Sequence, residues 1–192
     1  MKTLPNLMLI TGADPHNKPL FLQRLQWSLQ TGIQLVQLRT VGLSGLAYID
    51  LVTAVRTLCS IYNARLILNP PVEGLTLPED TGLHLTSKRL LALNTRPNFK
   101  LIGASCHNKL ELIKANKLSL DYVLLSPVLA TSSHPQAQPL GWNQFAKLVA
   151  KTKIPVYALG GLKRDDLITA YQYGACGIAA INGLWILNMP VP

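Results

Sequence analysis

The stretch Ile154–Trp185, IPVYALGGLKRDDLITAYQYGACGIAAINGLW, runs through strand, glycine and helix twice in succession. Ile154–Leu159 is an apolar run of strand length that ends at Gly160-Gly161. Leu162–Tyr173 then places Leu162, Leu167, Ile168, Ala170 and Tyr171 near helical spacing, and Gly174 closes that helix. Gly177–Ile181 reads as a second buried strand, and Asn182-Gly183 is expected to open another short helix. Two such joints in tandem make a parallel βαβα unit. Glycine lets the backbone come close to a ligand. A helix start beyond it offers unpaired N–H groups and the positive end of the dipole, which suits a phosphate. In an eight-stranded (β/α) barrel that site lies in the loops after strands seven and eight. Gly160, Gly161, Ile181, Asn182 and Gly183 are therefore the candidate phosphate-binding residues.

The chain upstream repeats the same period. Leu7–Thr11, Gln34–Arg39, Arg65–Leu68, Gly82–Leu85, Lys100–Ser105 and Asp121–Ser126 read as strands. Many are apolar without alternation, as strands covered on both faces should be. Helices are expected over Phe21–Thr31, Ala47–Tyr62, Ser87–Leu93, Lys109–Asn116 and Trp142–Lys151, with Asn108 as an N-cap. Pro70-Pro71 forces a loop after the third strand. The long Pro- and Ser-rich segment 127–141 has the composition of an active-site lid. The fold class is α/β: a single, short (β/α)8 TIM barrel over residues 1–192.

A hydrophobic content of 48% with 14% charged residues excludes disorder. No apolar run reaches the roughly 20 residues of a membrane span. Met1–Ile10 lacks a small-residue cleavage site and reads as the first strand, so a cytoplasmic protein with no membrane partner is expected. The 18 Lys+Arg against 9 Asp+Glu favour anionic ligands. The basic residues are scattered and not interleaved with aromatics, which argues against nucleic acid. Cys59, Cys106 and Cys176 have neither metal nor disulfide spacing and read as core residues, Cys106 alone standing at a strand end.

Side chains at strand C-termini converge on one rim in this fold. That rim gathers Thr11, Gln37, Arg39, Asn69, His84, Thr86, Ser105, His107, Ser126, Thr131, Ser133 and His134 around the glycine joints. It is polar and nearly empty of carboxylates. Histidine titrates near neutrality and moves protons without a metal, which singles out His107 as the catalytic candidate. Gln37, Arg39, Asn69, His84, Ser105, Ser126, Thr131, Ser133 and His134 are the substrate-binding candidates, though His84, within a short apolar strand, reads better as a structural histidine.

QLR, LILN, GLHL, GASCHN, DYVLLSPV, GLGW-like PLGW, IPVYALGGL and GACGIAAI follow one another as in the thiamine phosphate synthase/TenI family, which the chain resembles from Leu9 to Leu184. It is also similar to the variant of that domain fused to Nudix hydrolases in some bacteria. The synthases end their second strand Gln-x-Arg-Glu-Lys, where this chain has Gln37-Leu38-Arg39-Thr40-Val41. Their magnesium aspartates follow strands three and four, where this chain has Asn69-Pro70 and Thr86-Ser87-Lys88-Arg89. Glu73, Glu79 and Asp80 are the nearby carboxylates that could substitute. With both aspartate positions empty, the resemblance implies TenI-like, metal-independent tautomerisation of a thiazole phosphate by His107, or binding of a related phosphorylated heterocycle. No cofactor is then needed. The alternatives are a thiamine phosphate synthase, which would need Mg, and a non-catalytic ligand-binding module. The resemblance leaves a homodimer open.

Overall fold

The computed structural model describes residues 3–12, 15–40, 42–43, 45–132 and 135–188. Its eight strands are β1 (Leu7–Ile10), β2 (Leu35–Arg39), β3 (Arg65–Asn69), β4 (Gly82–Leu85), β5 (Ile102–Cys106), β6 (Tyr122–Leu125), β7 (Val156–Leu159) and β8 (Gly177–Ala180). Each pairs in parallel with the next, and β8 closes on β1 through Leu7–Ile178, Met8–Ala179 and Leu9–Ala180. The chain therefore forms a closed barrel of the TIM type, as its sequence predicts.

Among the described residues six α-helices cover the outside: α1 (Lys18–Gln30), α2 (Gly45–Ile61), α3 (Ser87–Ala92), α4 (Lys109–Lys117), α5 (Gly141–Val149) and α6 (Leu167–Gln172). α1 starts three residues before the expected point because Asn17 caps it, accepting from Leu20 N–H, with a proline in the first turn. The proline-rich crossover 70–81 contains no helix, in keeping with Pro70-Pro71.

Two expectations around the glycine joints need correcting. After Gly160-Gly161 the chain does not enter an α-helix at Leu162. It makes a 3₁₀ turn over Arg164–Asp166, where Asp166 accepts from Lys163 N–H at 2.8 Å, and only then α6. After β8, Asn182-Gly183 opens no helix among the described residues. Leu184 and Trp185 N–H both return to Ile181 O in a single turn. The chain then lies across α1, with Ile186 N–H on Ser28 Oγ and Trp185 against Phe21. Tertiary contacts take up the backbone that a helix would have used.

The apolar residues divide between two layers. Leu9, Val36, Leu38, Leu68, Ala104, Val123, Leu125 and Ile178 face outward onto the helices. Met8, Ile10, Leu35, Ile67, Tyr122, Leu124, Tyr157 and Ala179 fill the barrel interior. Tyr122 fits there because Gly103 leaves it room: a Cβ at 103 would stand 2.1 Å from the ring. Tyr157 meets Tyr122 edge-on and donates to Pro5 O at 2.5 Å, plugging the lower end. Each ring removes about 150–250 Å² from water while its hydroxyl keeps a partner. The interior is thus solid below and open only at the strand C-termini.

Candidate functional site

At that open end lies a cleft of about 860 Å³. Its floor is Ile10, Leu124 and Leu159, and its walls include Gln37, Arg39, Asn69, Ser105, His107, Ser126, Thr131, Gly160, Gly161, Ile181, Asn182 and Gly183. The barrel period accounts for this convergence, since alternate residues of each strand point inward and the last of them form the rim. Thr11, named at the rim by sequence, instead clamps the backbone of Arg39: its Oγ accepts Arg39 N–H at 3.0 Å and donates to Arg39 O at 2.8 Å. Ser133 and His134 lie outside the described residues.

One end of the cleft is made by the joints after β7 and β8. Gly160 and Gly161 have φ of +107° and +69°, and a Cβ on Gly161 would meet Ala130 O at 2.4 Å. The start of the segment after β6 packs onto the glycine pair, with Val128 N–H on Leu159 O and Leu129 N–H on Gly160 O. A parallel bridge between Lys163 and Gly183 ties the two joints together. Neither Gly161 N–H nor Asn182 N–H donates to a protein acceptor among the described residues. Free N–H groups in turns that line a cleft are of the kind that can hold an anion. These N–H groups belong to turns, not to the pair of helix starts that the sequence suggested. Asn182 Nδ2 reaches Ser132 Oγ at 3.3 Å, bringing the segment after β6 over this end of the cleft.

Below the rim, His84 is fully buried and does not line the cleft. Its Nδ1 lies 3.0 Å from Tyr122 Oη and its Nε2 2.9 Å from Ser105 Oγ. Tyr122 Oη has no other partner among the described residues, so its O–H donates to Nδ1. Nε2 then carries the hydrogen and donates to Ser105. Ser105 is left with its own O–H to give to a ligand. Burial first, and the charge of Arg39 second, push the His84 pKa down to about 3, so the ring is neutral. The structural reading of His84 holds, and its effect on a ligand passes through Ser105.

His107 does line the cleft. Its Nδ1–H donates to Ser126 O at 2.9 Å, which leaves Nε2 as an acceptor in the neutral ring. Its backbone N–H donates to Glu111 Oε2 at 2.5 Å. Glu111, itself buried, also accepts from Ser87 Oγ (2.9 Å) and Asn108 Nδ2 (3.0 Å). It joins the ends of β5, α3 and α4 beneath the rim. The sequence reading missed this carboxylate, although Asn108-x-x-Glu111 has the spacing of a capping box. Cys106 is buried and its thiol is pushed up to about 12 by burial and by Glu111, so it is a core residue.

Across the barrel from the glycine joints, the cleft wall is Arg39, Asn69, Thr86, Ser87 and Lys88. Magnesium prefers oxygen ligands that include one or two carboxylates. None is present on this wall. Glu73 pairs with Arg89 at 3.3 Å, and Asp80 pairs with Arg56 at 2.8 Å. Neither of these, nor Glu79, lines the cleft. Arg89 donates to Pro70 O at 2.7 Å, so a cation occupies the space between the two positions where the resembling synthases carry aspartates. Among the described residues no three His, Cys, Asp or Glu side chains gather as metal ligands. The donor set does not fit a carboxylate-held magnesium ion.

Residues 7–184 match the family model described as thiamine monophosphate synthase. The chain is 35% identical over 184 residues to the thiamine-phosphate synthase of Streptococcus suis, covering 91% of this chain and 80% of that one. It is 30% identical over 181 residues to the thiamine-phosphate synthase of Lysinibacillus sphaericus, covering 91% and 84%. Among solved structures it resembles thiamine phosphate pyrophosphorylase from Pyrococcus furiosus, with a TM-score of 0.73, 27% identity, and 92% and 85% coverage. These relatives overturn the expectation of a thiazole phosphate tautomerase. They are named as synthases, which makes them transferases, and an isomerase reading of this chain is withdrawn. The physical basis of that expectation was the missing aspartates and a titrating histidine. A histidine on the rim does not by itself distinguish the two reactions.

Proposed function

Since the chain belongs to the thiamine monophosphate synthase family, we propose that it is a thiamine-phosphate synthase, joining a thiazole phosphate to a pyrimidine carried as its methylene diphosphate. The C–O bond between the methylene carbon and diphosphate breaks, and its electron pair leaves on the diphosphate oxygen. The lone pair of the thiazole ring nitrogen forms the new C–N bond, and that nitrogen becomes cationic. No proton has to be taken from it, so the step requires no general base. What it requires is alignment of the two rings and stabilisation of the departing negative charge.

The observation that supports this reading is the division of one cleft into two anion-friendly ends. Free N–H groups at Gly161 and Asn182 suit the thiazole's phosphate. Arg39 at the end of β2 and Lys88 just after β4, on another wall of the cleft, suit the diphosphate. The floor between them is apolar, as two stacked heterocycles need, and the volume lies within the roughly 300–1,000 Å³ of small-molecule sites. Ser105, with its O–H free, and the buried Gln37, whose Oε1 has no partner among the described residues, supply a donor and an acceptor for ring substituents.

The test is incubation of the purified chain with the pyrimidine diphosphate and the thiazole phosphate, with product detected by oxidation to the fluorescent thiochrome. Steady formation of thiamine phosphate, above a control lacking the thiazole, is the expected result. No product, with or without added magnesium, removes the reading.

A further inference from the structure

We propose that the diphosphate is bound by the side-chain cations of Arg39 and Lys88 directly, in place of a carboxylate-held divalent ion. The inference deepens the synthase reading and rests on it for the identity of the ligand. Three observations carry it. The wall formed by the ends of β2, β3 and β4 offers cations and neutral polar groups to the cleft and no carboxylate. Arg39 and Lys88 have no acidic partner among the described residues, in contrast to Arg56 and Arg89, whose charges are already matched by Asp80 and Glu73. And Arg39 is held for the purpose: Thr11 fixes both its N–H and its carbonyl, so the side chain leaves a rigid point at the strand end.

The chemistry agrees with this division. Diphosphate at neutral pH carries several negative charges spread over oxygens on two phosphorus atoms. A planar guanidinium can donate to two of those oxygens at once, while an ammonium group acts as a mobile point charge. Arg39 is half-buried at the strand end, and Lys88 is exposed at the start of α3. One can therefore fix the inner phosphoryl group while the other follows the outer one. Arg89 contributes indirectly. By holding Pro70 O and Glu73 it keeps that carboxylate in an ion pair outside the cleft. As the C–O bond breaks, the charge gathering on the leaving oxygen meets these two cations, which is the same service that a metal ion would give.

The test is calorimetric titration of the full chain with inorganic diphosphate in excess EDTA. Saturable binding is expected, weakened about tenfold by Lys88→Ala and by Arg39→Gln, the scale of one charge-assisted hydrogen bond. Inorganic phosphate binding at the glycine joints should stay unchanged in both variants. Lys88 is exposed, so its variant carries the test even where Arg39→Gln fails to fold. Binding that appears only when magnesium is added, or that survives Lys88→Ala and the double variant unchanged, overturns the proposal. Thiamine phosphate formation is scored separately. Diphosphate binding in EDTA without product keeps the site and removes the synthase reading. Product formed only with magnesium, from variants whose diphosphate affinity is unaltered, keeps the synthase reading and removes the site.

Discussion

Nε2 of His84 lies 2.9 Å from Oγ of Ser105, so a fully buried imidazole sets the orientation of a hydroxyl in the cleft. In the neutral ring Nδ1 accepts from the Tyr122 hydroxyl; a proton on Nδ1 would turn that hydroxyl into an acceptor and leave its own hydrogen without a partner.

The folded His84 pKa, about 3, lies below the usual unfolded value of 6.5. In that interval the unfolded chain binds the extra proton and the folded chain does not. Stability from this residue is therefore complete above pH 6.5 and is lost as pH falls from there toward 3. The loss has a limiting slope of about 1.4 kcal/mol per pH unit. His84→Gln cannot titrate. Its melting temperature should be lower than wild type at pH 7.5, and the gap should narrow steadily by pH 4.5. Parallel melting curves across that range would contradict the assignment.

Gly161→Ala combines a left-handed backbone, φ +69°, with a Cβ at 2.4 Å from Ala130 O. Such a conformation costs a non-glycine residue about 1–3 kcal/mol, and the collision adds to it. The variant should unfold at lower denaturant concentration and lose phosphate binding. Phosphate titration by calorimetry checks the second effect. A variant that folds and binds phosphate like wild type would place the anion elsewhere.

His107→Asn should slow thiamine phosphate formation by less than about tenfold, whereas loss of an essential general acid or base costs about 10²–10⁴-fold. Nitrogen alkylation leaves no proton to remove, and Nδ1 is already committed to Ser126 O. Initial rates across pH 6–9 should show the same profile in both proteins. A drop of a thousandfold would make His107 a proton carrier in the synthase reaction.

Glu111→Ala should destabilise the chain by about 1.5–3 kcal/mol, the scale of a lost hydrogen bond to a charged group. Three donors lose their acceptor together: His107 N–H, Ser87 Oγ and Asn108 Nδ2. Glu111→Gln, which keeps one oxygen, should recover part of that stability in urea denaturation. Two variants equally stable with wild type would deny Glu111 its place as the tie beneath the rim.

The barrel was legible in the sequence because its strands are buried on both faces and so appear as short apolar runs between glycines and polar turns. The rim was legible for a related reason: a residue at a strand C-terminus in this fold has one direction to face, and Gln37, Asn69, Ser105 and Ser126 all face it. Tyr122 and Tyr157 could not be told from outward core residues, because local apolar pattern does not say which face of a closed sheet is inside. The turn after Asn182-Gly183 was misread as a helix for want of knowledge that Trp185 would dock against Phe21. Glu111 was overlooked because a carboxylate in the first turn of a helix ordinarily points to water. Here three donors from separate segments hold it in.

The glycine joints leave a mark on how a chain of this kind can diverge. Positions 160, 161 and 183 admit no side chain without moving the backbone at Pro127, Ala130 or Leu162. On the opposite wall, Thr86 and Lys88 line the cleft and are exposed. Substitution is therefore sterically freer at Thr86 and Lys88 than at the glycine joints. On the proposed function, the groups that receive a leaving anion could be exchanged without disturbing the turns proposed to hold the second substrate's phosphate. Descendants of such a chain would differ in their need for metal before they differed in which phosphate they grip.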